Sequence, residues 1–352
     1  MIRKFLLRII LPSMVVFISG IHTEAQDQSC SFILKEAQKQ YSLGQVEKIP
    51  GMIAGCLEKG FSKQERQDAY KLLILCYLSD DEQEKADSSM LAFLKRYPEY
   101  EIIPTDSREF TYLFNSYRTL PIISIGLVGG FSRPQFFVTE SNSTFDLNHN
   151  ARTYEPTGLS YQGGLKINTY LSEKYELEVD VLYSQVSFLT TDVFTFEGNE
   201  IQKTEAIETQ TRLRFPVSVQ YALYPFGKNL LYARAGLIPS LALGDKLDAT
   251  RTYTNNVHNP VTGSAVDISS MRKKFDMSAL VGAGVKYKIP HGYVFAEIQY
   301  HPGITSQLDR NGLYGFPELR DRFYFLSDNF RINKMVFNIG YSYSFYKPTK
   351  KK

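Results

Sequence analysis

The chain of 352 residues carries 40 Lys and Arg against 37 Asp and Glu, with 24 Tyr, 24 Phe, no Trp and three cysteines. Its formal charge of +3 falls to +1 once residues 1–25, which hold Arg3, Lys4, Arg8 and Glu24, are removed. A chain so close to neutrality argues against a nucleic-acid partner.

Residues 1–25 read as a secretory signal peptide, with a basic start, an apolar run from Ile9 to Ser19, and Thr23-Glu24-Ala25 placed as a small-residue cleavage site before Gln26. Arg8 and Pro12 shorten that run, so an uncleaved anchor is not expected. No later stretch reaches the 18 or so apolar residues of a spanning helix, and any membrane crossing must use strands.

Residues 26–120 are rich in Glu, Lys, Gln, Ala and Leu, with apolar positions at helical spacing. Helices are expected over about 31–43, 46–59, 62–79 and 82–97. Ala37, Tyr41 and Gly44 recur loosely as Leu73, Tyr77 and Asp80, a period that resembles tetratricopeptide repeats, while an ordinary four-helix packing stays open. Antiparallel pairing of the first two helices brings Cys30 near Cys56, so a disulfide between them is expected in an oxidising compartment, with Cys76 left over. A fifth helix starts near Asp106, which with Glu109 makes a capping-box-like pair, and Phe110, Leu113, Phe114 and Tyr117 give it one apolar stripe.

From 121 to 346 the pattern changes to one-by-one alternation. Eight segments, at roughly 121–130, 157–171, 174–189, 209–224, 229–245, 273–289, 291–303 and 331–346, predict a membrane all-β fold: an eight-stranded antiparallel transmembrane β-barrel behind an N-terminal α-helical domain. Three connectors are tight (Ser172-Glu173-Lys174, Phe226-Gly227-Lys228-Asn229 and Pro290-His291-Gly292) and alternate with long ones at 131–156, 190–208, 246–272 and 304–330. A soluble sandwich or lipocalin-like barrel also alternates. Most segments exceed the ~5–6 residues of soluble strands. Aromatics at the strand ends (Tyr170, Tyr175, Tyr221, Tyr224, Tyr287, Tyr293, Tyr300 and Tyr346) suit an interfacial girdle, although Trp is absent.

With apolar side chains turned to lipid, the interior receives Lys166, Glu176, Glu178, Asp180, Arg212, Arg214, Arg234, Lys286 and Glu297. Eight strands leave room only for side chains, so these are expected to pair across strands as a polar plug rather than to conduct or catalyse. The acidic row on the third strand is expected to lie against the arginine pair on the fourth and against Lys166 on the second. No catalytic motif, metal spacing or cofactor signature is present. His149, near Asp146 and Ser143, and His258, near Asn256, are the residues an outward-loop enzyme would recruit, and Asp146 to Asn150 could hold a hard cation. The basic tail, residues 347–352 with Lys347, Lys350, Lys351 and Lys352, reads as a solvated end.

Leu213-Arg214-Phe215-Pro216-Val217, Tyr232-Ala233-Arg234-Ala235-Gly236 and Gly340-Tyr341-Ser342-Tyr343-Ser344-Phe345 resemble the PorT-like outer-membrane β-barrel domain of Bacteroidetes. The resemblance covers about 121–346 and implies a small outer-membrane barrel, with type IX secretion or gliding roles for some members. The expected function is a non-enzymatic outer-membrane anchor whose helical module meets a periplasmic or envelope protein, with membrane lipid as the barrel's surroundings. The alternatives are a lipid-modifying barrel enzyme and a surface adhesin acting through the long loops.

Overall fold

In a computed structural model of the chain, the described residues are 24–144, 152–195, 201–226, 229–253 and 258–351. They form two compact units, one of residues up to 118 with 348–352, the other of residues 119–347. The expected signal peptide lies almost wholly outside the described residues, and the first helix begins at Glu24.

The first unit contains α1 (Glu24–Ser42), α2 (Ile49–Glu58), α3 (Lys63–Ser79), α4 (Gln83–Arg96) and α5 (Arg108–Asn115). A capping box starts α3: Glu65 N donates to Ser62 Oγ at 3.4 Å and the Glu65 carboxylate accepts from Ser62 N at 3.0 Å. The same carboxylate accepts from the Ser31 hydroxyl at 2.5 Å, tying α1 to α3, and these bonds, Ser31 foremost, hold it below its usual range. One face of α3 puts Leu72, Leu73 and Cys76 against Leu34, Ile49 and Ile53 of α1 and α2, while Ile74 faces Met90, Phe93, Phe110 and Leu113 of α4 and α5. Cys30 and Cys56 are disulfide-bonded, with Cα atoms 5.7 Å apart. Cys76 is a free, buried thiol that burial pushes up to about 12.

Two readings of this unit change. The α5 cap is Ser107, whose hydroxyl accepts from Phe110 N at 3.2 Å. Asp106 instead turns inward to Lys71 Nζ at 2.6 Å and the Tyr100 hydroxyl at 2.6 Å. The tail is not a free end: Thr349–Lys350 pairs antiparallel with Tyr117–Arg118, and Lys350 Nζ lies 2.5 Å from Asp87, which also accepts from Tyr117.

With that ladder as β1 (Tyr117–Arg118) and β14 (Thr349–Lys350), the other strands are β2 (Pro121–Glu140), β3 (Thr153–Pro156), β4 (Ser160–Tyr170), β5 (Tyr175–Thr195), β6 (Ile201–Arg214), β7 (Val217–Phe226), β8 (Asn229–Tyr253), β9 (Val261–Thr262), β10 (Val266–Asp267), β11 (Phe275–Ile289), β12 (Gly292–His301) and β13 (Asn329–Tyr346). The long strands pair antiparallel in the order β8, β11, β12, β13, β2, β4, β5, and β5 returns to β8 through β6 and β7, which closes the sheet. Pro216 lacks the N–H a ladder needs, which separates β6 from β7. The sheet's two ends meet, since Tyr346 is the register partner of Pro121.

The outward face is apolar. On β2 it shows Ile125, Leu127 and Phe131, on β4 Leu165 and Ile167, on β5 Leu177, Val179 and Val181, and on β13 Phe337, Ile339 and Tyr341, all exposed. A charge-free stretch of this length matches the roughly 9–11 residues a tilted strand needs to cross hydrocarbon. Of the expected girdle, Tyr175, Tyr221, Tyr224 and Tyr287 are exposed. Tyr293 is buried, and the Tyr170 hydroxyl bonds Ser124 Oγ at 3.1 Å, so both belong to the interior instead.

The long connectors differ most from expectation. Much of 131–140, 190–195, 201–208 and 246–253 is strand, continuing the barrel wall. Above the apolar band the alternation inverts, with Val186, Phe188, Leu247, Phe330 and Ile332 buried inward. Ala206, Leu247, Ile268, Met271, Leu308, Leu319, Phe323 and Phe325 then form an apolar core of their own at the long-connector end.

Candidate functional site in the barrel interior

All nine ionisable residues expected inside are buried: Lys166, Glu176, Glu178, Asp180, Arg212, Arg214, Arg234, Lys286 and Glu297. Period 2 places each on the inward face, and cross-strand register decides which of them meet. Nearest the tight turns, Lys286 Nζ lies 2.5 Å from Glu176, and Asn168 donates to Glu178 at 2.8 Å. At mid-barrel Arg234 of β8 contacts Glu178, Asp180 (2.7 Å) and Glu297 (3.3 Å), and Lys166 lies 3.0 Å from Glu178 and 3.6 Å from Glu297. Glu297 also accepts from Tyr232 at 3.0 Å, Gln299 at 2.7 Å and Asn338 at 3.1 Å. Small residues make room for this layer, since a Cβ at Gly284 would sit 2.5 Å from the Tyr232 hydroxyl.

The arginine pair does not face the acidic row. Arg214 and Arg212 stand opposite Leu182 and Ser184, beyond Asp180, because the register runs unshifted through Phe215-Pro216 and sets Gln220 and Ser218 opposite Glu176 and Glu178. Arg212 pairs with Asp245 at 2.6 Å and Asp276 at 3.3 Å. Among the described residues the side-chain hydrogen bonds of Arg214 go to neutral groups, Gln162 at 2.9 Å and His301 Nδ1 at 3.1 Å. Since guanidinium can only donate, Nδ1 accepts, and His301 Nε2–H donates to Gln299 at 2.6 Å. Lys334, buried on the neighbouring strand opposite His301, has no carboxylate within ion-pair distance among the described residues.

Sequence reasoning missed several members of the interior. Lys334, Asp276 and His301 fall on inward positions of recognised strands, so parity could have found them. Glu208 was hidden in a stretch read as a loop, and Asp245 ends a recognised strand just past the register shift that reverses its parity. Glu208 takes both ends of the Arg272 guanidinium, with Nε at 2.7 Å. Still further along, Arg152 pairs with Asp328 at 2.5 Å and with Asp192, beside an aromatic group of Phe136, Tyr154, Phe188 and Phe330. The described interior is therefore filled with ion pairs and rings from the tight turns to the apolar core of the connectors.

His258 is exposed and packs against Tyr253 with ring centroids 5.0 Å apart. His149, Asp146, Asn150 and Asn256 lie outside the described residues. Among the described residues no group of three or more His, Cys, Asp or Glu could hold a metal ion.

Comparison with solved structures finds neisserial surface protein A (11% identity, covering 63% of this chain and 97% of that one, TM-score 0.29). It also finds AlkL in lipid bilayers (12%, 70% and 97%, TM-score 0.30) and the attachment invasion locus protein Ail of Yersinia pestis (10%, 63% and 99%, TM-score 0.27). No curated protein matches the chain. The family model described as outer membrane protein beta-barrel domain matches residues 122–309, more than half of the chain and the sheet from β2 to β12. With an apolar outer face, a charged interior and this match, the chain belongs to the outer membrane protein beta-barrel domain family and is an outer-membrane β-barrel protein.

Proposed function

We propose that the barrel is a closed, non-enzymatic anchor that holds the helical unit in the periplasm as a protein-binding module for envelope assembly or secretion. β6 and β7 count as one crossing interrupted at Phe215-Pro216, which gives eight crossings. An even count leaves both ends of the barrel on the tight-turn side, the side that faces the periplasm in bacterial barrels. One observation carries the reading: the residues flanking the barrel at both ends, Tyr117–Arg118 and Thr349–Lys350, pair with each other inside the helical unit. An anchor built this way grips its module by two strands of chain.

Within that module α1 packs on α2 and α3, and α3 on α4 and α5. This neighbour pattern supports a tetratricopeptide-like stack, whose helix pairs bind peptides or proteins on their grooves. The PorT-like resemblance makes a type IX secretion component one candidate partner. The filled interior supports a barrel that neither conducts nor turns over substrate. The test is photocrosslinking from exposed helical positions, such as Phe32 and Tyr112, in intact cells, followed by mass spectrometry. A recurrent envelope protein is expected. Crosslinks confined to lipid, or to proteins outside the cell, would overturn the reading.

A further inference from the structure

Across the outer wall of the barrel runs a groove of about 840 Å³. Its floor is one register row, Gly129, Ile339, Ala296, Val285 and Leu231, taken from five neighbouring strands. At the ~4.8 Å spacing of strands this row is roughly 19 Å long, a channel the width of a hydrocarbon chain's travel across the sheet. Small side chains leave depressions on either side of the projecting Ile339: Gly129, paired with Gly163, lies on one side, and Ala296, with Ala283 beyond it, on the other. The stacked rings of Phe131 and Phe337, 5.4 Å apart, form its upper wall at the β2 end.

Directly above that wall the face changes. Arg133 is the next outward residue of β2 after Phe131, about 7 Å further on, and pairs in register with Met335. Arg331, also outward, follows on β13. Both are exposed, and neither has a carboxylate within ion-pair distance among the described residues. Apolar groove and unpaired cations thus adjoin on one lipid-facing surface, the arrangement that an anionic headgroup with an attached acyl chain complements.

We propose that this wall binds one phosphorylated membrane lipid, with an acyl chain along the Gly129–Leu231 row and the phosphate on Arg133, Arg331 taking a second phosphate or sugar further out. The proposal rests on the orientation given above only for the leaflet, which that orientation makes the outer one.

The test uses the full chain in dodecyl maltoside, titrated with dioleoylphosphatidylglycerol, diphosphoryl lipid A or uncharged dioleoylglycerol and read by native mass spectrometry. One tightly retained phosphorylated lipid per chain is expected, and the better-held of the two probes identifies the source. A Cβ at Gly129 meets nothing within 4 Å, so Gly129→Phe fills the groove without strain in the wall. It should abolish retention while the unboiled protein keeps its folded mobility on gels. Arg133→Gln should weaken the phosphorylated probes about tenfold or more and leave dioleoylglycerol unchanged. Equal retention by the parent and Gly129→Phe, or equal affinity for all three probes, would overturn the proposal. Should Gly129→Phe not fold, Ala283→Leu fills the same groove from β11, one outward position from Val285. Protease accessibility of the 258–270 connector in intact cells reads orientation separately; if it is protected, the lipid moves to the other leaflet and the groove result stands.

Discussion

At the scale of the residue, the interior contrasts paired with unpaired cations. Arg234 is matched by three carboxylates, whereas Lys334 shares its surroundings with Arg214 and His301 and has no carboxylate within ion-pair distance among the described residues. Burying an unpaired charge costs more than its hydrogen bonds return, while removing one partner from a matched cluster leaves such a charge behind. Lys334→Met is therefore expected to raise resistance to urea, by about 1–3 kcal/mol, and Glu297→Ala to lower it by about 3–5 kcal/mol. A Lys334→Met variant that unfolds earlier than the parent would show that the ammonium has a partner. Parity alone made the nine buried charges legible, but not their partners, because alternation does not carry the cross-strand register that sets Gln220 and Ser218, not the arginines, opposite Glu176 and Glu178. In the helical unit, burial alone would raise the Asp106 carboxyl, yet the Lys71 ammonium and the Tyr100 hydroxyl hold it below the usual range. A depressed carboxyl contributes stability that is complete above the unfolded value near 3.8 and is lost as pH falls through the folded one. Asp106→Asn should thus destabilise the unit at pH 7 and narrow the gap from the parent as pH falls below about 4, measured by thermal melts followed at 222 nm.

At the scale of the element, α3 is the keystone of its unit, and the disulfide closes the α1–α2 pair beside it. The Cys30–Cys56 bridge spans 26 residues of chain, for which loop-closure entropy gives about 3.5 kcal/mol. Cys30→Ser with Cys56→Ser should lower the helical unit's midpoint in urea accordingly, while Cys76 stays unreactive to maleimide until the unit unfolds. An unchanged midpoint would mean that the denatured unit keeps its α1–α2 contact. Helix positions were legible because apolar residues recur at helical spacing, most cleanly in α5, whereas α3 packs on two sides. The extended strands were not, for a physical reason. Above the lipid, outward residues such as Lys246 and Asp248 meet water while Leu247 and Ala249 turn in, so the apolar and polar faces exchange and the membrane pattern ends. A register shift near Thr211/Arg212, opposite Leu243, falls where β8 makes this change.

At the scale of the whole molecule, the outward face is greasy, the inward face ionised and matched, and both ends of the barrel chain return to a helical unit. Alternation, strand length and the even rhythm of tight and long connectors were enough to read the membrane barrel. The folded core over its long-connector end and the captured tail were not, since both depend on contacts between residues distant in sequence. The central claim is the sidedness of the sheet. Spin labels at outward Leu165→Cys and Ile339→Cys, and at inward Ser124→Cys and Asn338→Cys, in liposome-reconstituted full chain test it by collision with oxygen and with a water-soluble nickel chelate. High oxygen and low nickel accessibility at the two outward sites, with little of either at the inward pair, is the expected result. Nickel access at Leu165 and Ile339 equal to that of a soluble surface would contradict it.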